Sequence, residues 1–159
     1  MNPIQQGKQS VQQGMDHFLR NFSYVPEDKL NWRPAPTSKS ALEVAAHTAC
    51  HMGRFAAMLK GKQLVQPDDL EALMASWKAE EEAVTTRAEM EIIFRRGTAE
   101  VLSALDYLSE EDLELVLDSG MGWTASMKWL VGLPGWHITL HLGQIDYLQT
   151  CWGDLEIYV

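Results

Sequence analysis

The chain has 159 residues, of which 46% are hydrophobic, enough for one globular domain spanning residues 1–159 with a real core. Its formal net charge is −9, from 22 acidic against 13 basic residues, and no basic cluster exceeds the pair Arg95-Arg96. Such a surface repels polyanions, so nucleic acid is not an expected partner. The longest apolar runs, such as Trp129 to Leu133, fall far short of a bilayer span, and no membrane association is expected. The N-terminal "MNPIQQGKQS" lacks the charged-then-apolar layout of a signal peptide. Two cysteines, Cys50 and Cys151, make neither a disulfide framework nor a C-x-x-C clip. A cytoplasmic, reducing compartment is the expectation.

Apolar spacing is helical nearly throughout. Ile4, Val11, Met15, Phe18, Leu19 and Phe22 keep a three-to-four period and predict a first helix over 4–23. "YVPEDKLNWRPAPTSKS" interrupts it, because three prolines cannot sit in a helix interior. Ser40 with Glu43 forms a capping box for a second helix that stops near Gly61, a natural residue just past a helix end. Pro67 and Asp68 start a short extra helix through Trp77, whose trailing Glu80-Glu81-Glu82 is expected to be a solvated face. Thr86 and Glu89 form another capping box and open a long helix to about Leu108. The glycine-bearing "LDSGMGWTAS" is expected to be a loop, and the last helix, about Ser126 to Trp152, to bend near Pro134-Gly135. Four main helices and no convincing strand predict an all-α, antiparallel four-helix bundle.

"YVPEDKL" at Tyr24 and "YLSEEDL" at Tyr107 echo one another, each closing a long helix. Each is followed by a helix holding H-x-x-x-H: "HTACH" at 47–51 and "HITLH" at 137–141. Shared turn chemistry explains this as well as duplication does. Duplication predicts two helical hairpins related by a pseudo-dyad, with helices two and four face to face and their histidine pairs converging.

Four of the five histidines fall in these pairs. Residues four apart stand one turn above each other, so both imidazoles can reach one ion. A metal with an open position needs three protein ligands, which one pair plus a histidine from a facing helix supplies. The other reading is a set of buried, hydrogen-bonded imidazoles. Ile138 stands where a zincin keeps its glutamate, so "HITLH" is not a metalloprotease motif. Gly143 leaves room for a neighbouring helix, and Gln144 shares the face of His137 and His141. Gln144 can support a ligand, a water or a substrate, or serve as a buried amide bonded to backbone.

"KLNWRPAPTSKSALEVAAHTACH" together with "HITLHLGQIDYLQ" resembles the DinB/YfiT-like superfamily of metalloenzymes over nearly the whole chain. The closing His-x3-His-x-Gly-Gln is the most specific part. The resemblance implies a four-helix bundle holding a divalent metal on three histidines, matching His47, His137 and His141. It also implies a homodimer and a small-molecule substrate. Relatives include S-transferases and isomerases that use low-molecular-weight thiols, so a thiol S-transferase or a hydrolase-like enzyme is expected. Zinc or nickel leads, with iron and manganese also suited to imidazole. A non-catalytic metal- or ligand-binding dimeric bundle is the alternative, and a purely structural role for the histidines a third. His51 departs from the pattern as a fourth candidate, able to ligate, to support a ligand or to pack. His17 is expected at the surface, and Cys50 as a buried thiol rather than a nucleophile. Trp32, Trp123 and Trp136 flank the motif-bearing segments and are candidates to line a pocket.

Overall fold

The computed structural model describes residues 2–158. The chain runs α1 (Pro3–Ser23), a 3-10 turn (Glu27–Lys29), α2 (Ala41–Gly61), α3 (Leu70–Glu82) and α4 (Arg87–Asp106). A second 3-10 turn (Glu111–Glu114), strands β1 (Val116–Asp118) and β2 (Thr124–Ser126), α5 (Met127–Leu130) and α6 (Leu133–Cys151) complete it. The helix starts are local chemistry. Asn2 accepts from the Gln5 amide ahead of Pro3, and both capping boxes form at Ser40/Glu43 and Thr86/Glu89. The ends are less local. Gly61 stays inside α2, and it is Lys62 that adopts the left-handed conformation, with φ 50°.

Four long helices, α1, α2, α4 and α6, bury an apolar core centred on Phe18, Phe22, Phe94 and Met52. Phe18 meets Phe94 edge-on at 5.3 Å. The arrangement corrects two expectations. Gly7 faces Val131, Gly14 faces Ile138 and Asn21 bonds Asp146, so α1 and α6 run parallel. Arg87, at the start of α4, bonds the carbonyls of Phe22 and Val25 at the end of α1, so those two helices run antiparallel. His47 and His51 of α2 meet His141 and His137 of α6, again antiparallel. It follows that α2 and α4 are parallel. The order is up, down, down, up, not uniformly antiparallel.

The predicted hairpins are also absent. α1 packs on α4 and α6, and α2 on α4 and α6, so the successive pairs α1–α2 and α4–α6 lie across the bundle diagonals. The echo itself is physical. Tyr24 and Tyr107 close α1 and α4 with nearly equal backbone angles (φ −84° and −86°), and each is followed by a 3-10 turn. Exchanging α1 with α4 and α2 with α6 preserves the neighbour relations, as a pseudo-dyad requires.

Parallel neighbours need a return crossover, and α3 provides it. Its 13 residues cover about 20 Å along the outside of α2. The "LDSGMGWTAS" segment is a β-hairpin rather than a plain loop, with Val116 opposite Ser126, Leu117 opposite Ala125 and Asp118 opposite Thr124. Gly120 and Gly122 supply its positive φ angles. The break before α6 falls at Val131-Gly132, while Pro134 sits in the first turn, where its missing N–H costs nothing. Gly135 instead lets α1 approach, since a Cβ there would lie 2.2 Å from Ser10 Oγ. Gly143 has no such role, with nothing within 4 Å of where its Cβ would stand. Among the described residues, no helix is long and apolar enough to cross a membrane.

Candidate metal centre

The antiparallel contact of α2 with α6 turns two H-x-x-x-H pairs toward each other. Ring centroids lie 4.8 Å apart for His47–His141, 5.3 Å for His47–His137 and 4.3 Å for His137–His141. His47, His137 and His141 each present one nitrogen, and these lie within 4.8 Å of one another, an arrangement that could hold a metal ion. His51 stacks on His137 at 4.9 Å, beside this triad.

Hydrogen bonds set which nitrogens stay free. His141 Nδ1 lies 2.7 Å from Gln144 Oε1, which can only accept, so the proton sits on Nδ1 and the Nε2 lone pair is left open. Gln144 thus orients a histidine rather than donating to it. His47 Nδ1 donates in the same way to Glu81 Oε2 at 3.0 Å, freeing its Nε2. His137 is 8% exposed, and its Nε2 is buried with no protein partner. Leaving such a nitrogen unsatisfied costs roughly 1–3 kcal/mol, and a cation answers it. The donor set therefore fits a divalent metal.

His51, Glu81 and Arg54 form a second layer. His51 Nδ1 donates to the His47 carbonyl at 2.9 Å. Arg54 bonds Glu81 at 2.9 Å and Glu80 at 2.6 Å, and its guanidinium covers the Trp77 ring at 4.6 Å. His47, His51 and Glu81 also come within ligand distance of one another, but Arg54 Nη1 already lies 3.0 Å from His51 Nδ1. A resident guanidinium leaves that group unsuited to a second cation.

Glu81 corrects the expectation of a solvated acidic face, since its side chain is only 16% exposed. A signal was present, because Leu70, Leu73, Trp77 and Glu81 share one stripe of α3 and the carboxylate continues the apolar face. Arg54, three residues after His51, was also missed and carries no comparable sign.

Burial is the main cause lowering all four histidine pKa values, to about 4 for His51 and about 2 for His137. The imidazoles are accordingly neutral at pH 7, the form that ligates. Burial pushes the Glu81 carboxyl up, but hydrogen bonds from Arg54 and His47 outweigh it and hold the group below its usual range. Cys50 is buried, its thiol pushed up to about 11 by desolvation and then by Glu80, which makes it no nucleophile. His17 is exposed on α1, outside the cluster. Trp32 packs edge-on against Trp152, and Trp136 is exposed.

A family model described as the DinB superfamily matches residues 9–145. The chain belongs to the DinB superfamily. A DinB-like protein of Bacillus subtilis, YjoA, aligns over 96% of both chains at 19% identity, with a TM-score of 0.67. A conserved protein of Enterococcus faecalis aligns over 95% of this chain and 97% of its own at 20% identity, with a TM-score of 0.70. YfiT of B. subtilis is described as a probable metal-dependent hydrolase with an unusual four-helix bundle topology. It covers 94% of this DinB chain and 87% of its own at 18% identity and a TM-score of 0.64. At such identities the likeness establishes the DinB fold. Among curated proteins, none matches the sequence.

Proposed function

We propose that this chain is a divalent-metal-dependent enzyme in which His47, His137 and His141 hold the ion. Its reaction is attack of a low-molecular-weight thiol or of water on a small electrophile. One observation carries the reading: three imidazoles from two facing helices each bring a ring nitrogen within 4.8 Å of the others, and the Nε2 of His137 is buried without any protein partner. The description of YfiT as a probable metal-dependent hydrolase supports the same class.

When bound, a divalent ion supplies Lewis acidity, bringing coordinated water to a pKa of roughly 7 and deprotonating a coordinated thiol. The chain's own residues do the rest. Glu81 fixes the tautomer and orientation of His47, and Gln144 does the same for His141. Arg54 anchors Glu81 so that the carboxylate cannot swing away. A cleft of about 330 Å³ lined by Lys39, Glu43, His47, His51 and Trp77 gives a small polar reactant access to the triad. Three neutral ligands keep the ion's full charge, and imidazole donors suit zinc, nickel and iron better than manganese.

The test is elemental analysis of untagged protein, followed by a panel of cellular thiols and water against a chromogenic electrophile. Stoichiometric metal that disappears in His47→Ala, with metal-dependent turnover, is expected. Absence of stoichiometric metal, or unchanged content in His47→Ala, defeats the reading. Bound metal without turnover of any electrophile favours a binding module instead.

A further inference from the structure

Behind His51, on the side away from the polar cleft, lies a second cavity of about 360 Å³. Its walls come from separate segments of the chain, among them Phe55 of α2, Leu73 and Trp77 of α3, Trp123 at the hairpin and Trp129 of α5. Side chains that a folded chain normally hides are open here. Val65, Leu70, Met121, Trp123 and Trp129 are between 47% and 57% exposed, and all line this one chamber. Scattered exposed apolar residues are ordinary, but convergence of five on one concavity is what ligand pockets show.

The chamber adjoins the triad. Phe55 touches the His137 ring at 5.2 Å, and His51 lies 4.9 Å from the same ring. His51 and Trp77 border both cavities and divide them. Among the described residues, Arg54 is the one fixed charge in the chamber lining, and Glu80 and Glu81 already neutralise it. An anionic ligand therefore gains little there. Arg54 does keep one buried N–H, at Nε, without an acceptor.

We infer that this chamber binds the body of an uncharged, flat, apolar molecule about the size of two fused aromatic rings. Resting on the proposed metal chemistry, it is the electrophile's half of a two-part site, and the polar cleft in front of His47 receives the thiol or water. His51 and Trp77, common to both linings, set the two cavities side by side, as a two-part site requires.

The experiment uses full-length protein and prodan, a neutral naphthyl ketone whose emission reports an apolar site. Naphthoate, with the same rings and a carboxylate, is the competitor. Saturable one-to-one prodan binding is expected, weakened about ten-fold in Trp123→Ala, a change on the hairpin surface, and abolished in Leu73→Arg. Exposed Ile92→Ala, remote from the chamber on α4, serves as control and leaves binding unchanged. Zinc content measured on the same samples separates the two claims: prodan binding without zinc keeps the chamber and removes the metal reading, and zinc without prodan binding does the reverse. Unchanged affinity in Trp123→Ala overturns the inference, as does tighter binding of naphthoate than of prodan. It is equally overturned if Trp123→Ala converts a dimer to a monomer in sedimentation, which makes the apolar face a contact between copies.

Discussion

Glu81→Gln keeps the shape of a side chain that is 16% exposed but removes its charge. Two interactions change. The bond from His47 Nδ1, now 3.0 Å from a carboxylate, becomes one to a neutral amide, and the imidazole loses basicity at its free nitrogen. Arg54 retains Glu80, whose side chain is 57% exposed, so its position is less firmly held. Replacing a hydrogen-bonded carboxylate behind a metal-binding histidine lowers affinity roughly 10–100-fold, about 1.4–2.8 kcal/mol. The assay is competition for zinc between metal-depleted protein and a chromogenic chelator near neutral pH, with circular dichroism to verify the fold. Glu82→Gln removes an equal charge one residue away, on a side chain 63% exposed, and controls for long-range attraction of the cation. It is expected to change affinity less than three-fold, roughly. If Glu81→Gln binds zinc as tightly as wild type, or no more weakly than Glu82→Gln, the orienting role assigned to Glu81 is wrong.

The metal-depleted protein should lose stability as pH falls from 6.5 toward 4. The His51 pKa, 6.5 when free, is lowered to about 4 in the fold, so the unfolded chain binds more protons across that window and stability rises with pH through it. The His51 contribution amounts to as much as about 3 kcal/mol, read from urea midpoints at several pH values; no loss above pH 4 refutes it. Gly135→Ala should destabilise by about 1–3 kcal/mol, because its Cβ would lie 2.7 Å from Ser10 Cβ, an atom whose place the backbone of α1 fixes. Gly143→Ala, in open space on the same helix, should instead stabilise by about 0.5–1 kcal/mol. Thermal melts that fail to move in opposite directions contradict the packing described. Arg87→Ala strips the donors from the Phe22 and Val25 carbonyls and should cost about 2–3 kcal/mol in chemical denaturation.

Much of this was legible because it is local. Ser40 and Thr86 show their capping roles in four residues of sequence, and the two histidine pairs are visible in five, while the cap at Asn2 went unread. The direction of packing was not legible, since it depends on which glycine meets which helix. Gly135 and Gly143 look alike in a string, and only the first touches a neighbour. The β-hairpin escaped for a related reason: three-residue strands carry too little alternation to see. Glu81 illustrates the middle case. Its stripe on α3 was visible, but only the crossover imposed by parallel α2 and α4 carries that stripe over the histidines.

That topology has a kinetic consequence. A chain cut between α2 and α4 yields two fragments whose long helices pack mainly on the other fragment's rather than on each other, so neither half has an independent core to form early. All four sides of the bundle join helices from opposite halves, giving an all-helical protein contacts more distant in sequence than those of an up-and-down bundle. Folding should be correspondingly slow for its helix content. The proposed ligands follow the same division, His47 from one half and His137 with His141 from the other. Neither half alone brings the proposed His47, His137 and His141 triad together, so metal capture by that triad would signal that the two halves have interlocked.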